Sequence, residues 1–117
     1  MASITIDRCA FGTLVINGTP YEDDLIIRPD GTILVPWYRR RGHQLSLEDL
    51  RALIDASPEA IIMGTGMSGG VVPDPGLKDR LLRLGIEFIP EPNDRAVRTF
   101  NDLVEDKRVG AGFHLTC

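Results

Sequence analysis

Ala60-Ile61-Ile62-Met63-Gly64-Thr65-Gly66-Met67-Ser68-Gly69-Gly70 is a short apolar run that passes directly into a glycine-rich loop, with Gly76 just beyond. Four apolar residues bounded by glycine read as a buried strand. Glycine accepts positive φ and lets other groups come close to main-chain N–H, so the loop is expected to form a turn, a binding nest, or both. After it, Asp74-Pro75 fits an N-cap with proline at the first helical position. Leu77, Leu81, Leu82 and Leu84 then supply a buried stripe as far as Gly85, and Ile86 to Ile89 is the next strand. Strand, helix and strand make a βαβ unit, which requires parallel strands joined right-handedly.

Upstream the texture is hairpin-rich. Leu14-Val15-Ile16 leads into Asn17-Gly18, and Leu25-Ile26-Ile27 and Ile33-Leu34-Val35 flank Pro29-Asp30-Gly31, so both are expected to be antiparallel pairs. Ser46 with Asp49 resembles a capping box opening a helix from Leu47 to Ala56, with Leu47, Leu50, Leu53 and Ile54 on one face and Pro58 beyond its end. Downstream, Asn93 or Asp94 caps a helix carrying Ala96, Val97, Phe100, Leu103 and Val104. The last strand is Val109 to Thr116, where Val109, Ala111, Phe113 and Leu115 alternate with Gly110, Gly112, His114 and Thr116. One face carries bulk; the other is nearly bare and ends at His114. The whole is an α/β chain with a mixed sheet.

A length of 117 residues suits one domain, 1–117, that buries enough surface to need no metal or disulfide. With 43% hydrophobic and 26% charged residues the chain is expected to fold, and no apolar run approaches a bilayer span. A net charge of −4 opposes non-specific nucleic-acid binding, which needs many phosphates neutralised. Cys9 and Cys117 make neither a disulfide framework nor a zinc spacing, so no metal and no cofactor are expected. Met1-Ala2-Ser3-Ile4-Thr5-Ile6-Asp7 shows no secretory or organelle presequence pattern, and the cytoplasm is the expected location.

Taken together, Phe11-Gly12 with Asn17-Gly18 and Tyr21, Pro29-Asp30-Gly31, the Trp37, Arg39, Gly42 and His43 set, Pro58-Glu59, Gly64-Thr65-Gly66, Gly85-Ile86-Glu87, Asn101 with Leu103, and His114-Leu115-Thr116-Cys117 resemble the Mth-domain superfamily over nearly the whole chain. That superfamily has poorly defined function and includes an adipogenesis-associated cytosolic protein and a mitochondrial assembly factor for respiratory complex I. The resemblance implies a three-layer fold. Its five-stranded mixed sheet, with one strand antiparallel to the rest, is covered by helices on both faces and carries an extra N-terminal β-hairpin. It implies no catalytic residues. A prokaryotic or cytosolic relative fits the absence of a presequence pattern better than the mitochondrial member does.

Gly64-Thr65-Gly66-Met67-Ser68-Gly69 formally fits G-x-G-x-x-G, but Val71-Val72-Pro73 intervene before the helix and Asp74 at its cap would repel a phosphate. The loop is expected to be a structural turn or a nest for a small anion or carboxylate. Gly66-Met67-Ser68-Gly69-Gly70 also fits G-x-S-x-G, and Ser68, a later acid such as Asp79 or Asp94, and His114 follow in triad order, although Ser68 lies past the strand end in a loop. In Trp37-Tyr38-Arg39-Arg40-Arg41-Gly42-His43, a guanidinium beside aromatic rings suits carboxylate or phosphate groups, or the arginines pair with Glu22-Asp23-Asp24 or Glu48-Asp49 in solvent. His43 reads as a cap or loop histidine, His114 as a hydrogen-bonded residue or the acid/base of any reaction, Cys117 as an unactivated thiol and Glu22-Asp23-Asp24 as a solvated edge.

The expected function is therefore a non-catalytic binding or assembly-type module. Gly64, Thr65, Gly66, Ser68 and Gly69 would line one cleft with Trp37, Arg39, His43 and His114. That cleft would receive an anionic small molecule or an acidic segment of a protein partner. The alternative is a small hydrolase using Ser68 and His114.

Overall fold

A computed structural model describes residues 4–117, so Met1–Ser3 of the N-terminal reading lie outside the described residues. The decisive apolar run is β7 (Ala60–Gly64), with all five residues buried. Earlier in the chain come β1 (Ile6–Ala10), β2 (Thr13–Ile16), β3 (Thr19–Tyr21), β4 (Leu25–Ile27), β5 (Ile33–Leu34) and β6 (Gln44–Leu45), then a 3₁₀ turn (Glu48–Leu50) running into α1 (Arg51–Ile54). Later come β8 (Val72–Pro73), α2 (Leu77–Arg83), β9 (Glu87–Glu91), α3 (Asn93–Leu103) and β10 (Val109–Phe113).

The central sheet has the order β5-β4-β10-β7-β9. β10 is parallel to β7, and β7 to β9, while β4 runs antiparallel to both β10 and β5. This is the mixed five-stranded sheet with one reversed strand that the family resemblance implied. Successive side chains alternate between its faces, which is why two cores form. Ile62, Val109, Ala111, Phe113, Leu25 and Ile27 pack against Ala96, Val97 and Phe100 of α3 and against Ile6, Leu14 and Ile16. On the other face Ile26, Ile61, Met63 and Phe88 pack against Leu50, Leu53, Leu77 and Leu81. Helices thus cover both faces.

The extra N-terminal hairpin is a three-stranded meander, β1-β2-β3, because Thr19–Tyr21 continues past the Asn17-Gly18 turn and pairs back onto β2. Asn101 on α3 clamps it in place, accepting from Ile6 N at 3.0 Å and donating to Ile6 O at 2.9 Å. The Ser46/Asp49 capping box is present, with Ser46 N donating to Asp49 Oδ2 and Asp49 N to Ser46 Oγ.

Several boundaries differ from the sequence reading for physical reasons. The helix expected from Leu47 to Ala56 is a 3₁₀ turn plus one short α-turn, ended where Ser57 takes φ 54°. Asp74-Pro75 does not cap α2, because Gly76 stands at φ 80°, outside helical space, and the helix begins at Leu77. Leu82 and Leu84 lie exposed instead of on the buried stripe. β10 stops at Phe113 because Leu115 N leaves the sheet ladder to donate to Asp24 Oδ1 at 2.8 Å. The nearly bare face of β10 is filled, since a Cβ on Gly112 would meet the Trp37 ring at 3.2 Å and one on Gly110 would meet Leu53 at 2.8 Å.

Gly64 allows no side chain at all. A Cβ there would lie 2.6 Å from Asn93 Oδ1 and collide with the Phe113 ring. Gly64→Ala is expected to cost about 1–3 kcal/mol by overpacking, read as a lowered urea midpoint at unchanged slope. An unchanged midpoint would contradict this packing.

Candidate functional site

The site follows from strand register. Phe113 of β10 pairs with Leu25 of antiparallel β4 and with Gly64 of parallel β7. One residue further out, Asp24, His114 and Thr65 must therefore stand together at one end of the sheet, although Asp24 and His114 are separated by 90 positions. His114 N donates to Gly64 O at 2.9 Å, and Trp37 N donates to Asp24 O at 2.8 Å, drawing the segment after β5 to the same place.

Asp24 is the hub. Its Oδ2 lies 2.8 Å from His114 Nδ1 and 3.0 Å from Arg39 Nη2, which are themselves 3.0 Å apart, and Oδ1 accepts from Leu115 N. We assign the ring proton from the shorter contact, 2.8 Å to Asp24, over the 3.0 Å one to Arg39 Nη2. A bare Nδ1 would set its lone pair against the carboxylate, whereas Nδ1–H donates to it and leaves Nε2 as the acceptor. Nε2 lies 3.2 Å from Thr116 Oγ1. Burial opposes ionisation of Asp24, yet the bonds from His114, Leu115 N and Arg39 hold its carboxyl below the ordinary aspartate value.

Arg39 is committed internally. Its side chain is only 5% exposed, Nε donates to Gly42 O at 2.6 Å, Cζ sits 5.1 Å from the Trp37 ring centroid, and Nη1 is buried with no acceptor among the described residues. Trp37 is held by its own donation from Nε1 to Asp49 O at 3.1 Å. Arg39 therefore neither reaches out to a ligand nor forms a solvated pair. Asp24, expected on a solvated edge, supplies its counter-charge inside.

The loop after β7 is likewise occupied by its own chain. Thr65 N donates to Glu91 O, Gly66 N to Asn93 Oδ1, Met67 N to Thr116 O, Gly69 N to Gly66 O, Gly70 N to Cys117 O and Val71 N to Thr65 O. These six amides are paired within the chain. Asn93 does not cap α3. Pro92 holds that position, and the fully buried Asn93 amide bridges Gly66 N and His114 O. Glycine at 66 and 70 has a steric reason, because a Cβ at either would run into the main chain of Cys117.

The triad order is not realised as expected. His114 pairs with Asp24 rather than with Asp79 or Asp94, and the hydroxyl at its other nitrogen belongs to Thr116, not to Ser68. His43 does stand beside His114, their rings edge to face with centroids 5.1 Å apart. His43 Nε2 lies 3.7 Å from Cys117 Sγ, and one donor atom from each of His43, His114 and Cys117 falls within 4.8 Å of the others.

Asp24, Asn93, Thr116 and Cys117 are the members of this constellation that the sequence reading passed over or set aside. Only Cys117, three positions after His114, carried a signal in its spacing. Among the described residues no helix is long and apolar enough to cross a membrane.

Comparison with known proteins agrees with this architecture. A family described as protein of unknown function (DUF498/DUF598) matches residues 6–114. The solved structure of MT938 superposes with a TM-score of 0.83 at 26% identity, covering 98% of this chain and 100% of that one. A conserved hypothetical protein, PH1505 from Pyrococcus horikoshii OT3, gives 0.81 at 27% identity over 97% of this chain and 99% of its own. A Mth938-like domain protein of Bordetella pertussis, solved by NMR in solution, gives 0.66 at 19% identity over 96% of this chain and 85% of its own, a likeness of fold.

Proposed function

We propose a non-catalytic binding or assembly role for this chain, which belongs to the DUF498/DUF598 family of proteins of unknown function and has the Mth938-like fold. The binding face is the outer surface of the Trp37–His43 segment, and its ligand is an acidic segment of a protein partner. The observation that carries the reading is the contrast along that segment. Trp37 and Arg39 are locked inward, while Tyr38 between them is 80% exposed and neither Arg40 nor Arg41 has an ion pair among the described residues.

Two adjoining grooves meet at Arg40. One, of about 240 Å³, is lined by Arg40, Arg41, Gln44, Ser46, Asp49 and Asp74. The other is a wider shelf whose wall includes Leu34, Pro36, Tyr38 and Ala52. The acids in the first groove are already engaged. Asp49 accepts from Ser46 N and Arg40 N, and Asp74 from Gln44 Nε2. That leaves the two guanidinium groups for carboxylates and the shelf for an apolar anchor. An exposed aromatic next to arginine is the composition of interface hot spots.

The test is quantitative affinity capture from the native cell with the wild type and a Tyr38→Ala/Arg40→Ala/Arg41→Ala variant, both checked for fold by circular dichroism. A partner held by the wild type is expected to bind the variant at least about thirtyfold more weakly, since losing one hot spot alone costs about 2 kcal/mol or more. Identical retained proteins at identical strength would reject this face.

A further inference from the structure

We propose that His43, His114 and Cys117 form a zinc(II) site with three protein ligands and an open fourth position. The site goes beyond the docking face and stands on separate observations. Its donors come from two distant parts of the chain, yet one atom of each lies within 4.8 Å of the other two, and His43 Nε2 and Cys117 Sγ are already 3.7 Å apart. Zinc–nitrogen and zinc–sulfur bonds of about 2.0 and 2.3 Å in a tetrahedron set donor–donor edges of roughly 3.3–3.6 Å, so closure asks for about 1 Å of movement. The exposed His43 and Cys117 side chains can supply it.

The backbone holds the ligands in place before any ion arrives. His43 O accepts from Val72 N at 2.7 Å beside the β6–β8 pairing. Gly70 N and Met67 N, each at 2.7 Å, fix the carbonyls of Cys117 and Thr116. The glycines that looked like an anion cradle are therefore the seat of a ligand segment, which approaches so closely that a Cβ on Gly66 would lie 2.6 Å from the Cys117 carbonyl carbon.

His114 is prepared as a ligand by its partner. Asp24 accepts a hydrogen bond from Nδ1–H at 2.8 Å, so the Nε2 lone pair is the one left to donate, the carboxylate–histidine–metal arrangement that fixes ring orientation and raises basicity. The nearby Arg39 charge is offset by the same carboxylate at 3.0 Å. Thr116 Oγ1, 3.2 Å from Nε2, would turn aside and stand next to the open position. One thiolate and two imidazoles suit a borderline-soft ion and offer nothing to calcium or magnesium, which require oxygen donors.

The experiment uses the full chain, stripped with chelator under reducing conditions and titrated with zinc(II) against a chromophoric chelator. Cobalt(II) serves as the spectroscopic probe. The wild type is expected to take up one equivalent and to give a thiolate-to-cobalt charge-transfer band with tetrahedral d–d absorption. His43→Ala and Cys117→Ser, both at exposed positions, are expected to weaken zinc binding at least about tenfold each, and Cys117→Ser to abolish the charge-transfer band.

Asp24→Asn is expected to weaken zinc affinity by about 10–100-fold through loss of the orienting carboxylate. The Tyr38→Ala/Arg40→Ala/Arg41→Ala variant is expected to bind zinc as the wild type does, which separates this site from the docking face. No stoichiometric uptake, or uptake unaffected by both His43→Ala and Cys117→Ser, would overturn the site and leave the Cys117–His43 contact as a simple hydrogen bond.

Discussion

Asp24→Ala is expected to destabilise the protein by about 2–4 kcal/mol, somewhat less than the about 3–5 kcal/mol of breaking a fully buried charge pair, because the Asp24 side chain is 20% exposed. The magnitude follows from what the carboxylate holds. Arg39, with a side chain only 5% exposed, would keep its charge without its counter-ion, His114 Nδ1–H would lose its acceptor, and Leu115 N would be left unpaired beside β10. Asp24→Asn keeps the shape and separates charge from packing.

The pH dependence has a definite sign. Because the folded-state value of Asp24 is lowered, its stabilisation is fully present above the ordinary aspartate value of about 3.9 and is lost as pH falls through the lowered one. Urea melts from neutral pH downward should show the wild type losing this contribution in acid while Asp24→Asn does not. Equal acid sensitivity, or a loss below about 1 kcal/mol in Asp24→Ala at neutral pH, would contradict the role given to this residue.

Trp37→Ala is expected to cost about 3–5 kcal/mol, as for other large-to-small changes in packed cores. The indole is 8% exposed and covers the stretch of β10 where Gly112 offers no side chain, in the same buried cluster as Met63. Removing it opens a cavity over the bare backbone of Gly112, beside the Met63 side chain. It also frees Arg39 from the ring that positions it and detaches the segment from Asp49 O. Trp37 is the chain's single tryptophan, so denaturation is best followed by circular dichroism. A cost below about 1 kcal/mol would mean that the bare face of β10 is not sealed by this ring.

The frame was legible wherever the signal is local. The Asn17-Gly18 turn, the Ser46/Asp49 box and the apolar run at Ala60–Met63 each act over a few residues, and each appears in the fold. The candidate site was less legible because it is made by register. Asp24 and His114 meet only because Leu25 pairs with Phe113, and nothing near Asp24 in sequence distinguishes it from the exposed Glu22 and Asp23 beside it.

Asn93 misled in a different way, since its type suits a helix cap while its side chain is claimed by Gly66 and His114 across a tertiary contact. The loop glycines were correctly singled out as sites of close approach, but what approaches is the chain's own Cys117. Local pattern reports that space is needed. It does not report which group fills it.

Long-range proton–nitrogen correlation NMR of the His114 ring, at mildly alkaline pH in the metal-free wild type, tests the account at its centre. The proton is expected on Nδ1, facing Asp24, with Nε2 bare and shifting when zinc is added. A ring protonated on Nε2 would break the Asp24–His114 bond on which both the architecture of this end of the sheet and the zinc site depend.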